Sequence, residues 1–368
     1  MNNIIVLGAG MVGSAMAIDL AKKHQVLLTD LNPLALESFN DKNSNLTTMQ
    51  LDVTDDKSLS STLSRFDLVL SAVPGFLGYQ TLEKIINLKK NVVDISFFPE
   101  NALDLNHLAI EKNVTAIVDC GVAPGMDNVI LGHYNETHEL SSFECLVGGL
   151  PKEKKWPFCY KAPFSPIDVI EEYTRPARYV ENGNLITRPP LTDCEFVEFD
   201  NVGTLEAFNS DGLRSIIFTM PHIKDMKEKT LRYPGHVEYV RVLKDSGFFS
   251  ENKMEGLNIS ALDFTSNILF KEWKLNPDEK EFTVMRVTLV GLNNNGENEQ
   301  ITYDLFDEYC NDTQTSSMAR TTGYTATAAV NLFLDGLFTD KGVFPPELVG
   351  KNADCFNYFM KYLNDRNI

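Results

Sequence analysis

Basic residues are scarce: 33 Lys and Arg stand against 51 Asp and Glu in 368 residues, a formal charge of −18 with neutral His. A surface of that sign repels a phosphate backbone, so nucleic-acid binding is not expected. Long apolar runs are missing too. The longest early stretch without charge, from Ile4 to Ile18, is too short for a bilayer and carries Gly8, Gly10 and Gly13, so no membrane helix is expected. The chain opens without a basic segment, apolar core and cleavage site, because its apolar run leads straight into a glycine-rich turn, and a cytoplasmic protein is expected. The six cysteines (Cys120, Cys145, Cys159, Cys194, Cys310 and Cys355) lie far apart with no Cys-x-x-Cys pair, which suits reduced thiols better than a disulfide frame or a zinc cluster. Histidines are scattered, and His133 and His138, five apart, do not share a helix face, so no metal is expected. A Gly-x-x-x-x-Gly-Lys-Ser/Thr loop, a Gly-x-Ser-x-Gly elbow and a His-Glu-x-x-His helix are all absent. Nucleotide hydrolysis, esterase and zinc-protease chemistry therefore lack their basic parts.

What remains is ordinary for a globular protein: 43% hydrophobic, 10% aromatic and 23% charged residues. At about 150 residues per domain the chain should hold two or three domains. From Met1 to Cys120, short runs rich in Val, Ile and Leu alternate with segments of helical period. Strands are expected at Ile4–Gly8, Gln25–Thr29, Thr48–Leu51, Leu68–Ala72, Asn91–Ile95 and Thr115–Asp119. Helices are expected at Gly13–Lys22, Pro33–Phe39, Ser58–Ser64, Tyr79–Leu88 and Ala102–Lys112. That alternation predicts an α/β Rossmann fold, a doubly wound parallel sheet, over residues 1–122.

After Pro124 the rhythm changes. Glu195–Phe199, Phe282–Leu292 and Ile301–Leu305 read as alternating strands, and Asn293-Asn294-Asn295-Gly296 reads as a hairpin turn, since Asn-Gly supplies positive φ angles. A second α+β domain with a mixed or antiparallel sheet is expected over 123–310. The Ala- and Thr-rich run Met318–Phe333 reads as a buried helix, in a 311–368 segment that returns to the first domain. Charge runs such as Lys152–Lys155 and Asp278–Glu281 read as solvated turns.

The strongest local signal is Ile4-Ile5-Val6-Leu7-Gly8-Ala9-Gly10-Met11-Val12-Gly13, a buried strand entering Gly-x-Gly-x-x-Gly and then a helix. Gly8 permits the turn, Gly10 lets the backbone approach a pyrophosphate, and Gly13 lets helix and strand pack closely, so the phosphates meet the helix N-terminus at Met11 and Val12. The second strand ends in Asp30, 22 positions after Gly8, where a carboxylate can accept ribose hydroxyls. Leu31 and Asn32 follow it, with no arginine for a 2′-phosphate, which favours NAD over NADP. Asp52-Val53 and Ala72-Val73-Pro74-Gly75 lie at later strand ends, where the adenine and nicotinamide ends of a dinucleotide would fall. Ordinary strand-terminating turns are the other reading of those two segments.

Further strings run along the chain: Val93-Asp94-Ile95-Ser96, Cys120-Gly121-Val122-Ala123-Pro124-Gly125-Met126-Asp127-Asn128, Gly148-Gly149-Leu150-Pro151, Tyr160-Lys161 and Phe164-Ser165. They continue with Glu172-Tyr173-Thr174-Arg175-Pro176, Leu205-Glu206-Ala207-Phe208, Asp211-Gly212-Leu213 and Lys229-Thr230-Leu231-Arg232-Tyr233-Pro234-Gly235-His236. In this order they resemble the saccharopine dehydrogenase family, and within it most the NAD-dependent lysine 6-dehydrogenase branch. The saccharopine-forming branch is similar around Pro124-Gly125 but carries an acidic residue where Ala123 stands, and an arginine near the position of Asp30. The resemblance implies a homodimeric oxidoreductase of lysine metabolism, with a small amino acid as substrate. Its reaction would deaminate the ε-carbon of L-lysine to 2-aminoadipate 6-semialdehyde, which cyclises to a piperideine carboxylate. A saccharopine dehydrogenase and a non-catalytic NAD-binding sensor are the alternatives.

Hydride can leave an amine-bearing carbon only when nitrogen donates its lone pair, and a lysine ammonium has a pKa near 10.4. A base must therefore take a proton. Asp94 and Asp127, near the carboxyl ends of expected strands, are the candidates, with His236 the third. Arg232 could fork onto an α-carboxylate or form a structural ion pair. Ser96, Tyr160 and Arg175 could line the substrate pocket, while Asp127 could simply cap a helix, and Asp211 and Arg214 could pair with each other.

Overall fold

The computed structural model describes residues 1–39, 44–164, 166–276 and 279–368. Ser165 of the family strings and Asp278 of the expected charged turn lie outside the described residues. Short strands and helices alternate at first: β1 (Asn3–Leu7), α1 (Met11–Leu20), β2 (Gln25–Asp30), β3 (Leu46–Gln50), α2 (Asp56–Leu63), β4 (Leu68–Ser71), α3 (Gly75–Asn87), β5 (Asn91–Asp94), α4 (Asn106–Glu111), β6 (Thr115–Ile117) and α5 (Met126–Asn135). Longer strands follow: β7 (His138–Pro151), α6 (Pro166–Thr174), β8 (Ala177–Glu181), β9 (Asn184–Arg188), β10 (Glu195–Phe199), β11 (Gly203–Asn209), α7 (Ile216–Thr219), β12 (Asp225–Arg232), α8 (His236–Asp245), α9 (Ala261–Trp273), β13 (Glu281–Asn293) and β14 (Asn298–Glu308). The chain then runs through α10 (Ser317–Leu334), β15 (Gly342–Phe344), α11 (Pro346–Gly350) and α12 (Ala353–Asn364).

Two compact units result: Met1–Glu139 with Met318–Ile368, and Leu140–Ser317 between them. The first therefore extends past the expected boundary at 122 and takes in α5. Its sheet has the order β15-β6-β5-β4-β1-β2-β3, with every pairing parallel. Strands β1, β4 and β5 are almost wholly buried, as strands covered by helices on both faces must be. Ile5, Leu7, Val69 and Val92 from the strands meet Leu59, Leu82, Ile85 and Ala109 from the helices in one core. The chain leaves β1 for β2 on one side and returns to β4 on the other. This reversal of strand order opens a crevice at the carboxyl ends of β1 and β4.

The seventh strand, β15, was not among the expected strands, because three residues of Gly-Val-Phe carry too little pattern to be seen. Pro33–Phe39, expected as a helix, forms two 3₁₀ turns, Pro33–Ala35 and Glu37–Phe39. The Asn32 side chain accepts the Leu34 N–H and fixes the first turn, and so short a segment does not nucleate an α-helix. Ala102–Lys112 likewise opens as a 3₁₀ turn and becomes helical only in α4. The Ala- and Thr-rich run is a helix, α10, buried along most of its length.

In the second unit the main sheet has the order β10-β11-β12-β7-β13-β14, with the β8–β9 hairpin attached through β12. Strands β12 and β7 run parallel and the other registered pairs antiparallel, which is the mixed sheet expected. Residues 293–296 form the β13–β14 hairpin turn, with Gly296 at φ 77°. One core gathers Tyr160, Tyr173, Phe208 and Trp273 with Val237 and Val240. No described helix is long and apolar enough to cross a membrane, and no disulfide joins the cysteines.

Candidate functional site

The glycine turn has the geometry its residue types predicted. Gly8 sits at φ 105°, where a Cβ would lie 2.5 Å from the Ala72 carbonyl oxygen, and a Cβ on Gly13 would lie 2.0 Å from that of Gly8. Both positions exclude any side chain, while the Cβ direction of Gly10 is open, as close approach by a phosphate requires. Helix α1 has Gly10 at its N-cap position, with no side-chain cap and no acid in its first turn, whereas Asp55, Ser260 and Asn352 cap α2, α9 and α12. The first N–H groups of α1 are thus left for an anion. Asp30 accepts the Ala9 N–H at 2.8 Å and the Asn32 N–H at 2.8 Å, which fixes its carboxylate against the glycine turn. Ala72 lies directly across from Gly8.

Other expected cofactor contacts resolve differently. Asp52 accepts both the N–H (2.8 Å) and the hydroxyl (2.6 Å) of Thr54, and these bonds hold its carboxyl below the usual range. It closes a turn, as the plainer reading held. Val53 and Val73 direct their side chains into the core, so only their backbones face the sheet edge. Met11, Leu31 and Pro74 are exposed around the turn.

Two strands along from β1, in register through Leu7↔Ser71 and Ser71↔Asp94, Asp94 ends β5. At a strand spacing of about 4.8 Å this places it about 10 Å from the end of β1, on the same carboxyl edge as the glycine turn. Asp94 is fully buried, and its carboxylate accepts the Ser96 hydroxyl (2.9 Å) and N–H (3.1 Å). Burial is the main force on it, with Asp119 adding to the rise, and the carboxyl is pushed up to about 7. Cys120 follows, its thiol pushed up by burial and then by Asp119 and Asp94, so it is no nucleophile here. Asp127 is also buried, and its carboxylate accepts the Gly125 N–H at 2.9 Å beside Asn128 at 3.1 Å, so the helix-capping alternative is the one realised.

In the second unit, β12 ends at Arg232 and the turn Tyr233-Pro234-Gly235, with Gly235 at φ 92°, delivers His236 to the first position of α8. Arg232 is 2% exposed. Its Nη2 donates to Glu172 (2.6 Å) and Tyr160 (3.3 Å), Nε to Tyr173 (3.0 Å) and Nη1 to its neighbour's carbonyl (2.9 Å), and the guanidinium carbon stands 4.4 Å from the Tyr160 ring centroid. The structural ion pair is therefore what the fold contains. His236 donates from Nδ1 to the Phe158 carbonyl (2.9 Å), leaving Nε2 to accept the Tyr173 hydroxyl (2.9 Å). Burial, then Arg232, pushes the imidazole down to about 3. It is neutral with both nitrogens engaged, which corrects its candidacy as a base.

Arg175, expected to line a pocket, pairs with Glu171 one turn back on α6. Asp211 pairs not with Arg214 but with Arg178, through two bonds of 2.9 Å each. Sequence reasoning assigned no role to Glu172 or Tyr173. Both stand in the Glu-Tyr-x-Arg-Pro string, and the signal they gave was only that a buried arginine needs an acid.

A parallel sheet with a reversed strand order, a glycine turn and an open helix N-terminus defines a Rossmann-type pyridine-nucleotide-binding unit, here joined to a mixed-sheet unit. Residues 4–117 match the family model described as saccharopine dehydrogenase NADP binding domain, and residues 121–368 that of the saccharopine dehydrogenase C-terminal domain. The chain belongs to the saccharopine dehydrogenase family. It is 26% identical over 266 residues to saccharopine dehydrogenase (NADP(+), L-glutamate-forming) of Saccharomyces cerevisiae, a match covering 69% of this chain and 60% of that protein. Against the mitochondrial alpha-aminoadipic semialdehyde synthase of Bos taurus it is 23% identical, over 93% of this chain and 45% of that one. The chain thus spans less than two thirds of the length of these relatives. The apo structure of the yeast saccharopine dehydrogenase (L-Glu forming) shares the fold with a TM-score of 0.81 at 20% identity, over 100% of this chain and 98% of that one.

Proposed function

We propose that the protein is an NAD-dependent dehydrogenase that oxidises the ε-carbon of L-lysine to 2-aminoadipate 6-semialdehyde. The observation that carries this reading is Asp94, a buried carboxyl held near neutrality on the edge of the nucleotide sheet. A base for an ammonium must be ionised at working pH yet basic enough to hold the proton, and a group titrating near 7 meets both demands. When bound, the nicotinamide supplies the hydride acceptor. Asp94 takes the ammonium proton, and Ser96 orients the carboxylate through two hydrogen bonds. Loss of hydride from carbon leaves an iminium, to which water adds with release of ammonia. A homodimer in the cytoplasm belongs to the same reading.

Asp30 supports NAD over the NADP named for the relatives. Its carboxylate is locked against the glycine turn, where a 2′-phosphate would meet like charge. Asp30→Ala is expected to weaken NAD binding about 10- to 150-fold, from lost charge-assisted hydrogen bonds worth about 1.5–3 kcal/mol, and to narrow the NAD:NADP affinity ratio. Titration of both dinucleotides checks this, and an unchanged ratio would mean that Asp30 does not read the ribose.

Saccharopine is the second reading, because the relatives bear that name and hydride would leave the same ε-carbon, bonded there to a secondary amine. NADH formation with lysine or saccharopine as sole substrate separates the two. Turnover of lysine is expected; turnover of saccharopine alone would replace the proposal, and NAD binding with no turnover of either would favour a sensor.

A further inference from the structure

Helix α1, whose N-terminus opens at the glycine turn, carries a buried acid at its other end. Asp19 is 3% exposed. Its carboxylate accepts the Thr327 hydroxyl (2.9 Å) from α10, the Tyr362 hydroxyl (2.8 Å) from α12, and Arg366 Nε (3.1 Å) and Nη2 (3.0 Å) from just beyond α12. Lys22 adds a bond at 3.0 Å from the solvent side. The Arg366 guanidinium lies 3.4 Å from the Tyr362 ring centroid, and Arg320 of α10 donates to the carbonyls of Arg366 (3.0 Å) and Asn367 (3.4 Å). A second line of bonds runs from Tyr362 to Asn331 (3.1 Å) and on to His24, just past α1 (3.1 Å). Burial opposes the charge on Asp19, yet Arg366 and Lys22 with these hydrogen bonds hold its carboxyl below the usual range.

The same α10 also reaches the start of α1. A Cβ on Gly323 would lie 3.0 Å from Met16 Cγ and 3.6 Å from Val12 Cγ1, and Val12 belongs to the first turn. Helix α1 has little of its own to fix that turn: it lacks a side-chain cap, and Gly13 lowers its intrinsic helicity. Its seating depends on contacts at both ends. Asp19 lies about 12 Å from Met11 along one unbroken helix, at 1.5 Å per residue, so the two ends are tied by a continuous backbone ladder.

We propose that Asp19 and Arg366 form a latch by which the return segment sets the position of α1, making them positioning residues for dinucleotide affinity. This rests on the dinucleotide reading of the glycine turn. Without Arg366 the buried carboxylate loses its principal counter-charge, and α1 shifts to let water reach it. The N–H groups of Met11 to Gly13 then no longer converge where a pyrophosphate would sit.

The test uses the full chain with Arg366→Ala and Arg366→Lys, and three readouts: thermal melting, NAD titration, and, without ligand, amide hydrogen exchange over Ser14–Leu20, the hydrogen-bonded turns of α1. Arg366→Ala is expected to exchange at least tenfold faster in that stretch and to bind NAD about tenfold more weakly, with Arg366→Lys restoring most of both. A lowered melting temperature with unchanged exchange and affinity would make the network merely structural and overturn the inference. If Arg366→Ala does not fold, Tyr362→Phe removes one bond to Asp19 and keeps the cation; a Kd equal to that of the wild type would then overturn it. A wild-type protein that binds no NAD would end the dinucleotide reading instead, while the exchange measurement still judges the latch.

Discussion

Asp94→Asn is expected to lower kcat by about 10²–10⁴-fold, the range for loss of a positioned proton acceptor, while leaving the fold intact. The amide keeps the shape and can still accept the Ser96 hydroxyl, but its NH2 then faces the Ser96 N–H, so one of the two bonds is lost, and it cannot take a proton. In the wild type, activity should fall about tenfold per pH unit below about 7, as the carboxyl protonates, and the variant should lose that limb. Stability should move the other way. Because burial raises the folded carboxyl above its unfolded value of 3.8, the unfolded chain ionises first, and the native state loses stability as pH rises from about 4 to about 7. The variant escapes that cost, so its stability relative to the wild type should rise with pH across this window, by up to about 4 kcal/mol. Denaturant unfolding at pH 5 and pH 8 measures the difference. A variant with wild-type turnover would remove Asp94 from the chemistry; one with the same pH dependence of stability would mean that the carboxyl titrates normally.

Arg232→Ala should cost about 1.5–3 kcal/mol of stability, because it takes the guanidinium from the part-buried Glu172 carboxylate. Desolvation already pushes Glu172 above the usual carboxylate range even with Arg232 beside it, and removing the guanidinium should push it further in the same direction. The deletion also strips the π-face of Tyr160 and the hydroxyl of Tyr173 of their cation. Arg232→Met with Glu172→Gln removes both charges and should recover most of the loss, as isosteric replacements of buried pairs do. Urea unfolding of the two single variants and the double variant closes the cycle. Wild-type stability in Arg232→Ala, with a raised KM for the amino acid, would reverse this account and restore the substrate clamp.

The candidate residues of the two units were unequally legible in the sequence, for a physical reason. Gly8 and Gly13 announce themselves because a Cβ at either would stand only 2.0–2.5 Å from a carbonyl oxygen, which leaves room for hydrogen alone, so residue type and geometry imply each other. Asp30 and Asp94 could be placed because strands of a parallel sheet end on one edge. What could not be seen was the state of these groups. The titration of Asp94 depends on the loss of water around it and on Asp119, which lies on another strand's continuation. The partners of Arg232, Tyr173 at a separation of 59 residues and Glu172 at 60, meet only because α6 folds over β12. His236 looked like a base because histidine usually titrates near neutrality; a carbonyl on one nitrogen and a hydroxyl on the other make it a spacer in a polar chain. The small strand β15 was invisible for want of pattern, although the Rossmann order beside it was plain.

That strand sets a timetable for synthesis. Until Gly342–Phe344 emerges, β6 presents a bare rim, and the bond from Thr115 to the carbonyl of Asp340 spans 225 positions of chain. At roughly 5–20 residues per second a ribosome needs about 10–45 seconds to cross that gap, far longer than a small unit needs to collapse. The inserted middle unit is complete at Ser317, so it acquires its shape while its host still waits for its last strand. Throughout that interval the nascent nucleotide unit offers its open rim to any passing extended segment.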